Sequence, residues 1–403
     1  MKVSVFGIGR VGLPLALYLS EKGHEVIGID KNAELLGKIL TKKMPFMEEG
    51  AQEILESNLG KGFNVTFDPL YAAEKSDYLI ITIGTPVDDG LNPVIGPVKE
   101  IIRDISPRLS SGKVIILRST LSPGATGIIK DYLEQITPLR VGEDIFLSYC
   151  PERIAEGKSL VELPKVPQII GAFDDESFAK SEELFKTFGS RILKTTPKKA
   201  ELAKLFSNSY RYFQFAIANE MMMIAEDYGE DIEDIRYLVN EEYERGGLKS
   251  PGLAAGPCLY KDGFFLLVHQ PFTDLITSSW RINEGIPGYL IKKIKEKMDL
   301  KYKKVAILGK GFKKDIDDSR NSLAYKAKKI FEFNGAKVMM HDPFIKSEDL
   351  QSCIRDAEVI FIATNHSEYY LLNLEEIAGL AKKGCLVVDI WNVFKRNKIF
   401  FEL

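Results

Sequence analysis

Short apolar runs alternate with helix-length amphipathic segments through the first half of the chain. "KVSVF", "HEVIGID", "YLIITIG", "GKVIILRST", "DIFLSYC" and "VPQIIGAF" are each short and nearly continuous in apolar character. Such runs are expected of parallel strands covered on both faces, with crossover helices between them. Taken alone, any one run is also compatible with a buried helix segment; the repeated alternation argues for strands across the set. The pattern predicts a doubly wound α/β domain over residues 1–196.

The period then changes. In "TPKKAELAKLFSNSYRYFQFAIANEMMMIAEDYGEDI" a long stretch lacks internal glycine and proline, and apolar positions recur every three or four residues. Pro197 is compatible with the first turn of a long helix. "DIEDIRYLVNEEY", "GFFLLVHQ" and "YLIKKIKEKM" extend a mainly helical region over 197–298. A second α/β pattern occupies 299–403, with strand candidates in "KKVAILGKGF", "AKVMMHD", "AEVIFIAT" and "CLVVDIW" and a helix in "NSLAYKAKKIFEFNG".

Composition narrows the function classes. The chain has 403 residues and a formal net charge of -3, so no overall positive field draws it to nucleic acid or an anionic membrane. No apolar segment reaches bilayer-spanning length, and the first residues lack the features of a secretory signal. A cytoplasmic protein without membrane insertion is expected. The four cysteines, Cys150, Cys258, Cys353 and Cys385, are too far apart for paired zinc knuckles, and His24, His269, His341 and His366 form no ligand pattern, so no metal is expected.

One motif carries cofactor chemistry from its residues alone. "VSVFGIGRVG" places Gly7, Gly9 and Gly12 in GxGxxG spacing after a strand and before a helix, with Val11 in the same turn. Gly7 permits the turn, Gly9 lets a phosphate reach the backbone, and Gly12 lets the helix pack closely on the sheet. Asp30 ends the next strand, where a carboxylate accepts ribose hydroxyls and repels the extra phosphate of NADP; NAD is the expected cofactor. Thr85 and Thr120 follow later strands at the predicted ligand-binding edge, where each hydroxyl serves either a ligand or its own turn.

"GLAAGPCLYKD" sets Cys258 in a loop of small residues. In isolation such a thiol is a nucleophile, a packed structural group or a metal ligand. The ordered set "GIGRVGLPLA … GTP … STLSPGAT … PERIAEGK … KLFSNSYR … NE … GPCLYKD … GFKKDIDDSR" resembles the UDP-sugar 6-dehydrogenases, whose members act on UDP-glucose, UDP-N-acetylglucosamine and UDP-N-acetylmannosamine. The resemblance spans essentially the whole chain. It implies an N-terminal Rossmann-type NAD domain, a central helical dimerisation domain and a C-terminal Rossmann-like UDP-binding domain.

The same resemblance assigns roles. Cys258 is the nucleophile that forms a thiohemiacetal and then a thioester. Lys204 and Asn208, four residues apart on one helix face, stabilise an alkoxide or oxyanion, with Asp262 holding water and managing protons beside them. Glu152 positions or activates the hydrolytic water, Glu156 tunes the nearby basic groups, and Thr120 joins the reaction centre. Lys204, Asn208, Lys313 and Arg320 contact the UDP-sugar, and Arg245 reaches the neighbouring subunit's site, so a homodimer with a shared active site is implied.

Two departures bear on the substrate. Ala255 stands where many relatives carry a second glycine, and the loop has Lys261 before Asp262 and lacks the histidine-containing form. The "PG…GPC" form is closer to the N-acetylhexosamine enzymes, so UDP-N-acetylmannosamine is the expected substrate, ahead of UDP-N-acetylglucosamine and UDP-glucose. A two-electron hydroxy-acid dehydrogenase needs neither Cys258 nor the glutamate pair. A silent nucleotide-sugar sensor has no use for the set of Cys258, Lys204, Asn208 and Asp262.

Overall fold

The computed structural model describes residues 1–269 and 274–403. Gln270, the end of the predicted "GFFLLVHQ" helix, lies outside the described residues. The chain divides into two compact units, Met1–Ser207 with Phe264–Gln270, and Asn208–Gly263 with Pro271–Leu403.

The first unit is built on eight strands: β1 (Lys2–Phe6), β2 (Glu25–Ile29), β3 (Phe63–Thr66), β4 (Tyr78–Ile81), β5 (Val114–Leu117), β6 (Phe146–Tyr149), β7 (Gln168–Ala172) and β8 (Ile192–Thr195). Their order is β3-β2-β1-β4-β5-β6-β7-β8, so the direction of winding reverses between β1 and β4. That switch point is where an open α/β sheet leaves a ligand crevice at its strand ends. Side chains alternate across the sheet, with Val3 and Val5 in one apolar layer and Phe6 in the other.

The sheet departs from the all-parallel expectation at one place. β7 runs antiparallel to β6, and β8 then pairs parallel to β7. Strands β3 and β8, which carry no continuous apolar run, form the two edges.

The second unit holds β9 (Lys304–Leu308), β10 (Lys337–His341), β11 (Val359–Ile362), β12 (Leu386–Val388) and β13 (Phe400–Glu402) in the order β10-β9-β11-β12-β13. Here the winding reverses between β9 and β11. The final strand is antiparallel and lies on the edge.

The long predicted helix is continuous over Pro197–Asp227. Proline begins it at no hydrogen-bond cost, because the first N–H groups of a helix lack intrahelical partners. Gly229 ends it at φ +75°, with the Glu230 N–H returning to the Ala225 carbonyl at 3.0 Å. A second helix, Ile232–Asn240, starts with the Asp231 side chain accepting from the Glu233 N–H at 2.8 Å. The region at Gly263–His269 is a 3₁₀ helix, and "YLIKKIKEKM" falls at the end of the helix Asp274–Lys297, with only Met298 past it.

The beginning of the long helix is packed on β7 through a glycine. A Cβ on Gly171 would lie 2.8 Å from Pro197 Cα and 2.9 Å from Ala200 Cβ. Gly171→Ala is therefore expected to cost about 1–3 kcal/mol through overpacking, measured as a lower urea midpoint in far-UV circular dichroism. An unchanged midpoint would show that this approach is not tight.

Candidate active site

The glycine turn after β1 has the features that a dinucleotide requires. Gly7 adopts φ +92°, and its N–H donates to the Ile29 carbonyl at 2.7 Å. A Cβ on Gly12 would sit 2.1 Å from the Gly7 carbonyl oxygen and 2.5 Å from Thr82 Oγ1, so helix α1 (Gly12–Glu21) packs as closely as only glycine permits. At Gly9 an added Cβ meets no heavy atom within 4 Å, which leaves backbone open to an incoming phosphate. Val11 is exposed at the start of α1. Asp30 follows β2, and one of its carboxylate oxygens accepts from the Asn32 N–H at 3.0 Å. These residues fit NAD.

The loops after β4 and β5 are laced together beside this turn. Thr85 Oγ1 donates to the Thr120 carbonyl at 2.7 Å, and Ser119 Oγ donates to the Ile83 carbonyl at 2.6 Å. Thr85 thus fixes the backbone that carries Thr120. Glu201, fully buried on the long helix, accepts from the Gly124 N–H at 2.6 Å and from the N–H and hydroxyl of Thr126. Burial pushes its carboxyl upward, against the lowering effect of these bonds. Lys204 follows one turn later and is half-buried.

The glutamates after β6 sit in a network that sequence reasoning did not anticipate. Arg118 donates through Nε to Glu152 Oε2 at 3.0 Å and again through Nη2, while the Arg153 and Ile154 N–H groups bind Oε1 at 2.7 and 3.1 Å. Glu152 is therefore buried with donors on both oxygens. Glu156 pairs with Arg10 of the glycine turn at 3.0 Å, joining the glutamate loop to the cofactor loop. Glu48 anchors the same loop by accepting from Ser159 N–H at 2.5 Å and Gly157 N–H at 3.1 Å; burial raises its pKa.

In the second unit, Cys258 is exposed immediately before the helical turn Leu259–Asp262. Its carbonyl accepts from the Lys261 and Asp262 N–H groups, which places Asp262 one turn along from the thiol. Asp262 is fully buried and accepts from Asn208 Nδ2 at 2.6 Å. Its other oxygen, Oδ1, accepts no hydrogen bond among the described residues and lies 3.5 Å from Lys261 Nζ. Two residues far apart in sequence, Asn208 and Asp262, are thus brought together beside the cysteine.

Lys313 and Arg320 lie in the loop after β9. Arg320 forks onto Asp318, with Nη2 at 2.6 Å from Oδ2 and Nε at 3.0 Å from Oδ1. The start of that loop is pinned by Asp342, which accepts from the Lys310 and Gly311 N–H groups at 2.6 and 2.9 Å, and His366 Nε2 sits 3.1 Å from the same oxygen. Arg245 is exposed, its guanidinium 5.3 Å from the centre of the Tyr243 ring. Among the described residues no cluster of three or more His, Cys, Asp or Glu side chains could hold a metal, and no helix is long and apolar enough to cross a membrane.

Comparison with known proteins agrees along the chain. Residues 1–189, 198–284 and 306–396 match the NAD binding domain, central domain and UDP binding domain of the UDP-glucose/GDP-mannose dehydrogenase family. The chain is 30% identical to the UDP-N-acetyl-D-mannosamine dehydrogenase of Pyrococcus horikoshii, over 100% of this chain and 98% of that one. A solved structure of the Pyrococcus horikoshii enzyme superposes with a TM-score of 0.89 at 30% identity, covering 95% of this chain and 93% of that one. The UDP-N-acetyl-mannosamine dehydrogenase of Staphylococcus aureus superposes at 0.88 with 28% identity, covering 98% and 95%.

The thiols differ sharply in environment. Cys150, Cys353 and Cys385 are buried, and burial pushes each thiol up to about 12. Iodoacetamide at pH 8 is expected to add one label to the native protein, at Cys258, and four after unfolding in urea. Native labelling of any other cysteine, read by peptide mass spectrometry, would contradict this contrast.

Proposed function

The chain belongs to the UDP-glucose/GDP-mannose dehydrogenase family, and on that premise we propose that it oxidises C6 of UDP-N-acetyl-D-mannosamine from the alcohol to the carboxylate. It is an NAD-dependent nucleotide-sugar dehydrogenase. The observation that carries the reaction is the Asn208–Asp262 hydrogen bond one turn from an exposed Cys258. The sugar follows from the names of the relatives similar over their whole length. UDP-N-acetylglucosamine and UDP-glucose are the alternatives to be screened against it.

NAD, when bound, supplies the hydride acceptor for both oxidations. In the proposed sequence Lys204 and Asp262 take up the proton of the C6 hydroxyl, and Lys204 with Asn208 stabilises the negative oxygen as the aldehyde forms. Cys258 Sγ adds to the aldehyde carbon to give a thiohemiacetal. Loss of hydride from that carbon leaves a thioester, whose carbonyl is attacked by water. The thiolate departs and Cys258 is regenerated, so one water and two NAD are consumed per carboxylate. Lys313 and Arg320 serve the UDP portion, and Thr120 serves the cofactor or the sugar from the β5 loop.

For hydrolysis, the first reading gives the water to Glu152, with Glu156 tuning its surroundings. A second reading gives it to Asp262. The observation favouring the second is that donors already occupy both oxygens of Glu152, whereas Asp262 Oδ1 has an acceptor position to spare.

The proposed division of labour gives residues 1–196 to NAD, 197–298 to a helical dimerisation region and 299–403 to UDP, in a cytoplasmic homodimer with Arg245 contributing to the partner's site. Support for dimerisation comes from the long helix, where Ile217, Met221 and Ile224 are exposed at spacings of a single apolar stripe that Tyr228, just past its end, continues. Ile224→Asp is expected to convert the dimer to monomer in light scattering and to remove most activity. A fully active monomer would reject the shared site.

A screen of the three UDP-sugars is expected to yield two NADH per uronate and little reaction with NADP; one NADH without a carboxylate would overturn the four-electron assignment. Cys258→Ser should retain NAD and UDP-sugar binding while complete oxidation falls by orders of magnitude; full activity in this variant would defeat the covalent route. Intact-protein mass spectrometry then separates the hydrolytic readings. A trapped acyl adduct in Glu152→Gln supports the first, and one in Asp262→Asn alone supports the second.

A further inference from the structure

The "NE" step on the long helix has no role in the reaction described above, yet Asn219 is among its most deeply buried polar side chains. Its Oδ1 accepts from the Gly252 N–H at 2.9 Å, and its Nδ2 donates back to the Gly252 carbonyl at 3.0 Å. A side-chain amide here pairs with a backbone residue as a neighbouring strand would. The amide can take only one orientation. Nδ2 also donates to Asn283 Oδ1 at 2.9 Å, while Asn283 Nδ2 donates to the Tyr212 carbonyl at 3.1 Å. Turning either amide over would set donor against donor or acceptor against acceptor.

Gly252 begins the small-residue strap that ends six residues later at Cys258. Its other side is covered by Trp391, whose ring would lie 2.3 Å from a Cβ at that position. The indole is itself fixed, Nε1 donating to the Ala363 carbonyl at 3.1 Å. Further along, Gly256 adopts φ +100° with the Phe312 ring 2.4 Å from where a Cβ would be, and its N–H faces the Asn321 carbonyl at 3.3 Å. The strap is held at both ends, and Pro251 through Gly256 are buried.

We propose that Asn219 is a positioning residue for the reaction, its locked amide fixing the backbone at Gly252 and thereby the placement of Cys258. This rests on the reading of Cys258 as nucleophile. The physical reason is that an exposed thiol on a short loop gains its attack geometry from the backbone beneath it, and a displacement of about 1 Å can cost 100-fold in rate. Removing one side-chain amide would release both a buried donor and a buried acceptor of Gly252, so the strap would resettle to satisfy them.

The test compares Asn219→Ala with Asn283→Ala and with Cys258→Ser, assayed with NAD and UDP-N-acetyl-D-mannosamine. Asn219→Ala is expected to lower kcat about 100-fold while KM for NAD and for the sugar nucleotide stays within about threefold, because the strap acts on attack rather than on binding. Asn283→Ala leaves the pairing with Gly252 but removes its lock, and a smaller fall of about tenfold in kcat is expected, again without a change in KM. Iodoacetamide labelling reports the fold in the same samples, since Cys150, Cys353 and Cys385 stay unlabelled only while buried. Wild-type kcat in a folded Asn219→Ala protein overturns the proposal. Should Asn219→Ala label at the buried thiols, Asn283→Ala decides: wild-type kcat overturns the proposal, and a lowered kcat at constant KM supports it. Full activity of Cys258→Ser would sink the nucleophile reading itself, independently of either asparagine.

Discussion

A buried side chain that hydrogen-bonds a loop contributes little net energy when the bond is made, but leaving the partner unpaired costs about 1–3 kcal/mol. The long helix Pro197–Asp227 is tied to its surroundings by such bonds. In the first unit Glu201 holds the loop at Gly124 and Thr126. In the second, Asn208 holds Asp262 and Asn219 holds Gly252. A helix advances about 1.5 Å per residue, so the last two clasps lie about 16 Å apart along a rigid axis. Both ends of the cysteine segment, Gly252 and Asp262, are therefore referred to the same helix. The acid–base and nucleophilic elements of the proposed chemistry share that reference.

The two α/β units use similar architecture but differ in what occupies the backbone amides after their first strands. After β1, Gly9 presents open backbone, and the carboxylate of Asp30 follows the neighbouring strand, accepting from the Asn32 N–H. After β9, the corresponding amides of Lys310 and Gly311 are already occupied by Asp342. Burial alone would raise the Asp342 pKa, but the hydrogen bonds from His366 and from the loop amides outweigh it and hold the group at about 2. An ionised carboxylate on those amides repels a phosphate at the same place. The glycine turn of the second unit thus offers a phosphate neither of these amides, and the proposed function leaves the anionic ligand to Lys313 and Arg320 farther along the loop.

What the sequence made legible follows from how local each signal is. The six strand candidates of the first unit correspond to β1, β2, β4, β5, β6 and β7 because both faces of each are covered, leaving nearly continuous apolar runs. β3, with "FNVT", and β8, with "ILKT", are sheet edges, and half-exposed edges do not need that pattern. β13 escaped for the same reason. The antiparallel step at β7 left no trace, since strand direction depends on the path of the connection. Gly7, Gly9 and Gly12 were readable because they lie within one short turn at a fixed spacing, Gly7 at positive φ and Gly12 against the Gly7 carbonyl. Glu48 and Ser159 are 111 residues apart, and Glu201 and Thr126 are 75 apart. Neither pairing has a local signature, and an isolated glutamate reads as solvated surface.

The departure from the family pattern at Lys261 acquires a different meaning once its neighbours are known. Its ammonium lies 3.5 Å from Asp262 Oδ1, the oxygen that Asn208 does not engage. At Glu152, by contrast, Arg118 engages one oxygen and two backbone amides take the other. Asp262 Oδ1 faces the lysine ammonium at 3.5 Å and accepts no hydrogen bond among the described residues. The two acidic residues are therefore not equivalent in the proposed chemistry: both oxygens of Glu152 are engaged in holding a loop, whereas Asp262 Oδ1 keeps an acceptor position.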